Sequence, residues 1–120
     1  MKISVVIQTL NSEKFLERVL QSVKAFDEIV ICDMYSTDKT IEIAERYNCK
    51  IVFHEKTNYC EPARNFAIQA ASHEWVLVVD SDEIVPDALR KYLYEFIQSP
   101  DTLNGMDSPQ KLSDGEIHAR

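Results

Sequence analysis

Apolar runs alternate with stretches in which apolar residues return at helical spacing. Ile3-Ser4-Val5-Val6-Ile7 is a β-branched run and predicts a buried strand. Phe15, Val19, Leu20 and Val23 then recur with a helical period, and Asn11 or Ser12 is placed to cap that helix. Glu28-Ile29-Val30-Ile31-Cys32-Asp33 predicts a second strand. Ser36-Thr37-Asp38 precedes a second helix whose apolar face holds Ile41, Ala44 and Tyr47, with Ile43 beside it. Lys50 to His54 predicts a third strand, and Pro62 suits the first turn of a helix over 63–71. Trp75-Val76-Leu77-Val78-Val79 is unbroken apolar sequence, the mark of a strand covered on both faces. Pro86 opens a last helix carrying Leu89, Tyr92, Leu93 and Phe96. Strand and helix alternate throughout, which predicts an α/β fold of three layers with a mainly parallel sheet and right-handed crossovers.

Residues 1–98 form this unit. Residues 99–120 hold both glycines of the chain and few large apolar residues, and read as a loosely ordered tail. A chain of 120 residues allows one domain with a modest core. The net charge of −7 argues against nucleic acid, which needs a basic face. The three cysteines lack metal-type spacing, and Cys32 sits in an apolar run as a buried thiol does. A reducing cytoplasm fits that usage. The start of the chain leads straight into a strand with no signal-like segment, and no apolar stretch is long enough to span a bilayer.

The chemistry concentrates at the strand ends. Asp80 and Asp82 close the most apolar strand, where ligands of open α/β sheets bind. In extended chain both side chains would point the same way. Paired carboxylates are hard oxygen ligands and suit Mg²⁺ or Mn²⁺ rather than zinc. Residues 1–98 lack glycine, so the glycine-rich loops of dinucleotide-binding and P-loop proteins are absent. Thr9-Leu10-Asn11, Asp33 to Asp38, and Arg64-Asn65 gather with Asp80 and Asp82 on one sheet edge. An arginine there can fork onto a phosphate.

These segments resemble the family-2 glycosyltransferases of the GT-A fold, a Rossmann-like nucleotide-diphospho-sugar transferase architecture. Residues 3–23 resemble that family's opening strand and helix. Residues 27–47 resemble its second strand, Asp-x-x-Ser-Thr-Asp turn and helix. Residues 61–83 resemble the stretch from its Arg-Asn to its Asp-x-Asp motif. The resemblance implies that Thr9 lines the base and ribose site, with Asn11 a weaker candidate. It implies that Asp33 holds the uracil or ribose and that Arg64 faces the base or diphosphate. Asp80 would touch the ribose and metal region, and Asp82 would bind the metal.

The implied reaction moves a sugar from a nucleotide-sugar donor, UDP-linked, to a saccharide or lipid-linked saccharide acceptor. Bacterial surface polysaccharide or lipopolysaccharide is the implied product. The implied place is the cytoplasm, peripheral to the inner face of the membrane. Family members continue beyond this stretch into a half that carries the acceptor site and an acidic base. Residues 99–120 do not resemble it, so no base is assigned. The alternative expectation is a truncated, inactive nucleotide-binding or regulatory module, in which a homodimer covers the open sheet edge. The chain also departs from the family pattern. Gln8 stands for a usual proline, Leu10 for an aromatic, and Tyr35 and His73 for glycines. Tyr35 puts a bulky residue where positive φ is expected.

Overall fold

A computed structural model describes residues 1–56, 61–98, 110–112 and 115–119. Strands β1 (Ile3–Thr9), β2 (Glu28–Asp33), β3 (Lys50–Phe53) and β4 (Trp75–Val79) alternate with helices α1 (Leu16–Val23), α2 (Thr40–Arg46), α3 (Glu61–Ala70) and α4 (Asp87–Gln98). Strands β5 (Gln110–Leu112) and β6 (Gly115–Ala119) follow. The sheet order is β3-β2-β1-β4-β6-β5. The first four strands run parallel, and β6 returns antiparallel against β4.

Side-chain alternation divides the core. Ile3, Val5 and Ile7 join Ile29, Ile31, Trp75 and Leu77 on the face covered by α1, α2 and α4. Val6, Val30, Cys32 and Val76 meet Ala67 and Ala71 of α3 on the other. Helices thus cover both faces, as the unbroken apolar strands require. Among the largest contributions are Leu16, Leu20, Leu93 and Ile97, all fully buried. Each such side chain contributes roughly 1.5–3 kcal/mol relative to exposure.

The expected loosely ordered tail does not hold for its described part. Ile117 is fully buried in the α1/α4 core, and β6 pairs with β4 from Val78↔Glu116 to Trp75↔Ala119. One inward apolar residue and backbone pairing suffice to seat a short strand, so composition concealed it. The rest of the segment lies outside the described residues. The β4 side of the sheet is therefore covered by the chain itself, which removes that edge as a reason for a homodimer.

Smaller expectations shift. The α1 cap is Phe15, with no side-chain cap bond, and Ser12 instead accepts the Leu10 N–H through its hydroxyl at 3.2 Å. On α2, Ala44 and Ile43 are buried with Thr40 and Tyr47 packs against the core, while the expected Ile41 is only half-buried. Cys32 is buried as expected. Its thiol donates to the Ala63 carbonyl at 3.8 Å, and burial pushes its pKa up to about 11, which leaves it inert. Among the described residues, no helix is long and apolar enough to cross a membrane.

Candidate functional site

The carboxyl ends of β1 and β2 are tied into one unit. Thr9 and Asp33 are register partners, and both are fully buried. The Thr9 hydroxyl donates to Asp33 Oδ1 at 2.6 Å, the Ser36 hydroxyl to the same oxygen at 2.7 Å, and the Ser36 N–H to Oδ2 at 2.7 Å. The loops above are stitched in the same way. Asn11, at φ 48°, donates its N–H to Ser36 Oγ at 2.8 Å, and its Oδ1 accepts the Thr37 N–H at 2.8 Å. The Ser12 N–H reaches Thr40 Oγ1 at 2.8 Å, and the Glu13 N–H reaches Asp38 at 3.2 Å. Asp38 also accepts the Thr40 N–H at 2.9 Å, an Asx-type turn that leads into α2, whose cap position is Lys39 rather than Asp38. Burial opposes ionisation of Asp38, but these bonds outweigh it and hold its carboxyl below the usual range.

The end of β4 is built differently. Beyond Val79 the chain does not stay extended. It turns, with the Glu83 N–H on the Asp80 carbonyl at 3.1 Å and Glu83 Oε1 accepting the Asp80 N–H at 3.0 Å. The expected strand alternation of Asp80 and Asp82 is thus replaced by a turn. Both carboxylates are exposed, and both still line one cavity. That cavity, of about 560 Å³, also takes Gln8, Leu10, Asn11 and Met34 from the ends of β1 and β2, and Lys14 from the approach to α1. Lys14 lies over the Phe15 ring, 5.2 Å from its centroid.

Of the expected site residues, Asn11, Asp80 and Asp82 come together in the cavity. Thr9 and Asp33 lie beneath it and present no surface to a ligand. Arg64 is half-buried in α3, beside the Ala63 carbonyl that holds the helix to β2, and is not among the described lining residues. Gln8 and Met34 line the cavity without having been expected. The signal was in the alternation: if Ile3, Val5 and Ile7 face one helix layer, so does Thr9, and Gln8 faces the other way. Tyr35 does adopt positive φ, 61°, but it leaves the cavity clear. It is 62% exposed and stacks on Phe53 with centroids 5.4 Å apart.

Among the described residues, no cluster of three or more His, Cys, Asp or Glu gathers to cage a metal. Two exposed carboxylates do fit Mg²⁺ or Mn²⁺, which commonly take one or two carboxylates and complete their shell with substrate phosphates and water.

Known proteins share this sequence and frame. Poly(ribitol-phosphate) beta-N-acetylglucosaminyltransferase TarS of Staphylococcus aureus is 34% identical over 93% of this chain, which spans 23% of that protein. The crystal structure of TarS 1–349 in complex with UDP superposes with a TM-score of 0.76 at 29% identity, covering 99% of this chain and 47% of that one. Glucosyl-3-phosphoglycerate synthase from Mycobacterium tuberculosis, in complex with Mn²⁺ and UDP-glucose, gives a TM-score of 0.69 at 26% identity over 83% of this chain and 40% of that one. The chain thus spans less than half the length of these relatives. The sequence pattern of glycosyl transferase family 2 matches residues 4–115, well beyond Gln98, and the chain belongs to that family.

Proposed function

We propose that this chain is the donor-binding part of a glycosyltransferase that moves a sugar from a UDP-linked donor to a saccharide or lipid-linked saccharide acceptor. Bacterial surface polysaccharide or lipopolysaccharide is the proposed product, made in the cytoplasm at the inner face of the membrane. The observation that carries this reading is the pair of exposed carboxylates, Asp80 and Asp82, on a cavity of about 560 Å³ at the carboxyl ends of β1, β2 and β4. Open α/β sheets bind ligands at such a place. The UDP and Mn²⁺ found in similar structures fit its chemistry.

Asp82 and Asp80 would hold Mg²⁺ or Mn²⁺, which when bound offsets charge on the leaving diphosphate. Lys14 supplies a further positive charge on the same cavity, where phosphate oxygens would lie. Arg64, which lies in α3 outside the cavity lining, would have to reach in toward the base or diphosphate, and Asn11 would fix the rim. Thr9 and Asp33 serve by holding the β1 and β2 loops at the distance a nucleotide requires.

Titration calorimetry with UDP and Mn²⁺ tests the reading. Wild type binds UDP in a Mn²⁺-dependent manner, and Asp82→Ala weakens that binding by at least about tenfold, as loss of a metal-site group does. No binding to wild type, or undiminished binding to Asp82→Ala, would sink it.

A further inference from the structure

We propose that the outer edge of β3 is a homodimer interface, on which a second copy of this chain lays its own β3 antiparallel and joins the two sheets into one. β3 ends the sheet and pairs with β2 alone among the described strands. The His54 N–H reaches the Asp33 carbonyl at 3.0 Å, so the backbone groups of Lys50, Val52 and His54 turn toward β2. Those of Ile51 and Phe53 turn outward. An open edge of this kind is a template for another strand. A lysine on the edge would guard it, but the Lys50 ammonium donates to the Ala70 carbonyl at the end of α3, at 2.7 Å.

Exposed aromatic side chains flank this edge on both faces. Phe53, 44% exposed, stacks with Tyr35 on the side of α2. Phe66 of α3, 41% exposed, tilts against His54 on the other side, with centroids 5.2 Å apart. Contiguous apolar surface of this sort marks an interaction site. Symmetry selects the occupant. A two-fold axis at Val52, perpendicular to the sheet, sets Ile51 opposite Phe53 of the second copy and Phe53 opposite its Ile51. Each pair exchanges two backbone bonds, because both residues direct N–H and C=O outward. Residues two apart share a face, so each branched Ile51 meets an aromatic ring, a favourable cross-strand pair. Val52 meets Val52 on the other face, where it is only half-buried. One edge thus supplies both halves of the match. Charge agrees with this. The chain carries −7, yet residues 50–56 hold Lys50, Glu55 and Lys56 and none of the acidic excess, so two copies meet there with little repulsion. The cavity at β1 and β4 lies beyond β2 and stays open in such a dimer.

Sedimentation equilibrium of the full chain tests the proposal. The mass rises from 13.8 kDa to twice that value as concentration passes through on the order of 10 µM, the affinity of a small interface. Phe53→Lys, which puts a charge on the edge, stays at 13.8 kDa with its far-UV circular dichroism intact. Val52→Cys forms a reducible dimer on oxidation, because facing residues of this kind bring their Cα atoms to about 4.5 Å, within disulfide reach. Ile51→Cys, which faces Phe53, gives only the background that the native cysteines give in wild type. A mass of 13.8 kDa at every concentration overturns the proposal and leaves the edge to a strand of a different protein. A dimer that Phe53→Lys leaves intact overturns it as well, as does Val52→Cys cross-linking no more than Ile51→Cys.

Discussion

Asp33 and Asp82 are the same residue type at the same edge of one sheet, and their surroundings differ completely. Asp33 is fully buried and accepts three hydrogen bonds from Thr9 and Ser36. Asp82 is exposed on a cavity beside a second carboxylate. A buried carboxylate is tolerable only when its lone pairs are occupied, and once they are, it has little left for a ligand. An exposed pair keeps its ligand capacity at the cost of mutual repulsion. The end of β2 is therefore a brace, and the end of β4 is a mouth.

The sharpest test of this contrast compares two truncations. Asp33→Ala leaves the Thr9 hydroxyl and the Ser36 N–H and hydroxyl without their acceptor, all three groups belonging to buried or half-buried residues. Unfolding in urea should lose about 3 kcal/mol. Asp82→Ala removes an exposed side chain, and stability should stay within about 0.5 kcal/mol of wild type. Equal losses would erase the distinction between brace and mouth.

The comparison also explains what was legible beforehand. The strands β1, β2 and β4 announce themselves because a strand covered on both faces must be apolar at every position. The acidic pair announces itself because two charges at the end of such a strand are out of place in its pattern. The burial of Asp33 was not legible, because Asp33 carries the same chemistry as an exposed ligand group and burial is not written in a residue type. Counting alternation from Ile3 through Thr9 would have separated Gln8 from Thr9, and so the cavity wall from the brace. The strand β6 was hidden because its hold on the core is one residue, Ile117, plus backbone pairing. The loop conformations were half legible: Tyr35 stood out as a bulky residue where positive φ was expected, whereas Asn11, also at positive φ, gave no such warning.

Tyr35 supplies the next test, since it stands just beyond the brace and carries its strain. At φ 61° a tyrosine bears the left-handed penalty that glycine escapes, while its stack on Phe53 offsets part of it. Tyr35→Ala keeps the penalty and loses the stack. Tyr35→Gly loses the stack and the penalty together. The glycine variant should therefore be more stable than the alanine variant by about 1 kcal/mol in urea. An alanine variant as stable as the glycine one would mean that the loop relaxes out of this conformation, and that the brace does not hold it there.

The smallest effect is read at the opposite edge of the sheet, where bonded carboxylates again hold structure. Burial works against ionisation of Asp27, but the Tyr94 hydroxyl and the Ile3 N–H, aided by His73 and Lys2, outweigh it and set its carboxyl below the usual range. Burial likewise opposes ionisation of Glu28, and the Ser72 N–H with the Ser4 and Ser72 hydroxyls outweighs it. A carboxyl depressed on folding lends stability above its unfolded pKa of ~4, and that stability is lost as pH falls through the folded value. Tyr94 shifts the other way: burial first, then its bond to Asp27, raise the phenol above its ordinary range. Its stability is present below an unfolded pKa of ~10 and is lost as pH rises through the folded value. Urea midpoints across pH should thus fall at both ends. Tyr94→Phe should flatten the alkaline limb and soften the acid limb, with Glu28 and the Ile3 bond sustaining what remains of the latter. A Tyr94→Phe profile parallel to wild type would show that this bond does not couple to folding. The rule drawn from Asp33, that a carboxylate with its lone pairs occupied serves the fold, would then stop at the carboxyl edge of the sheet.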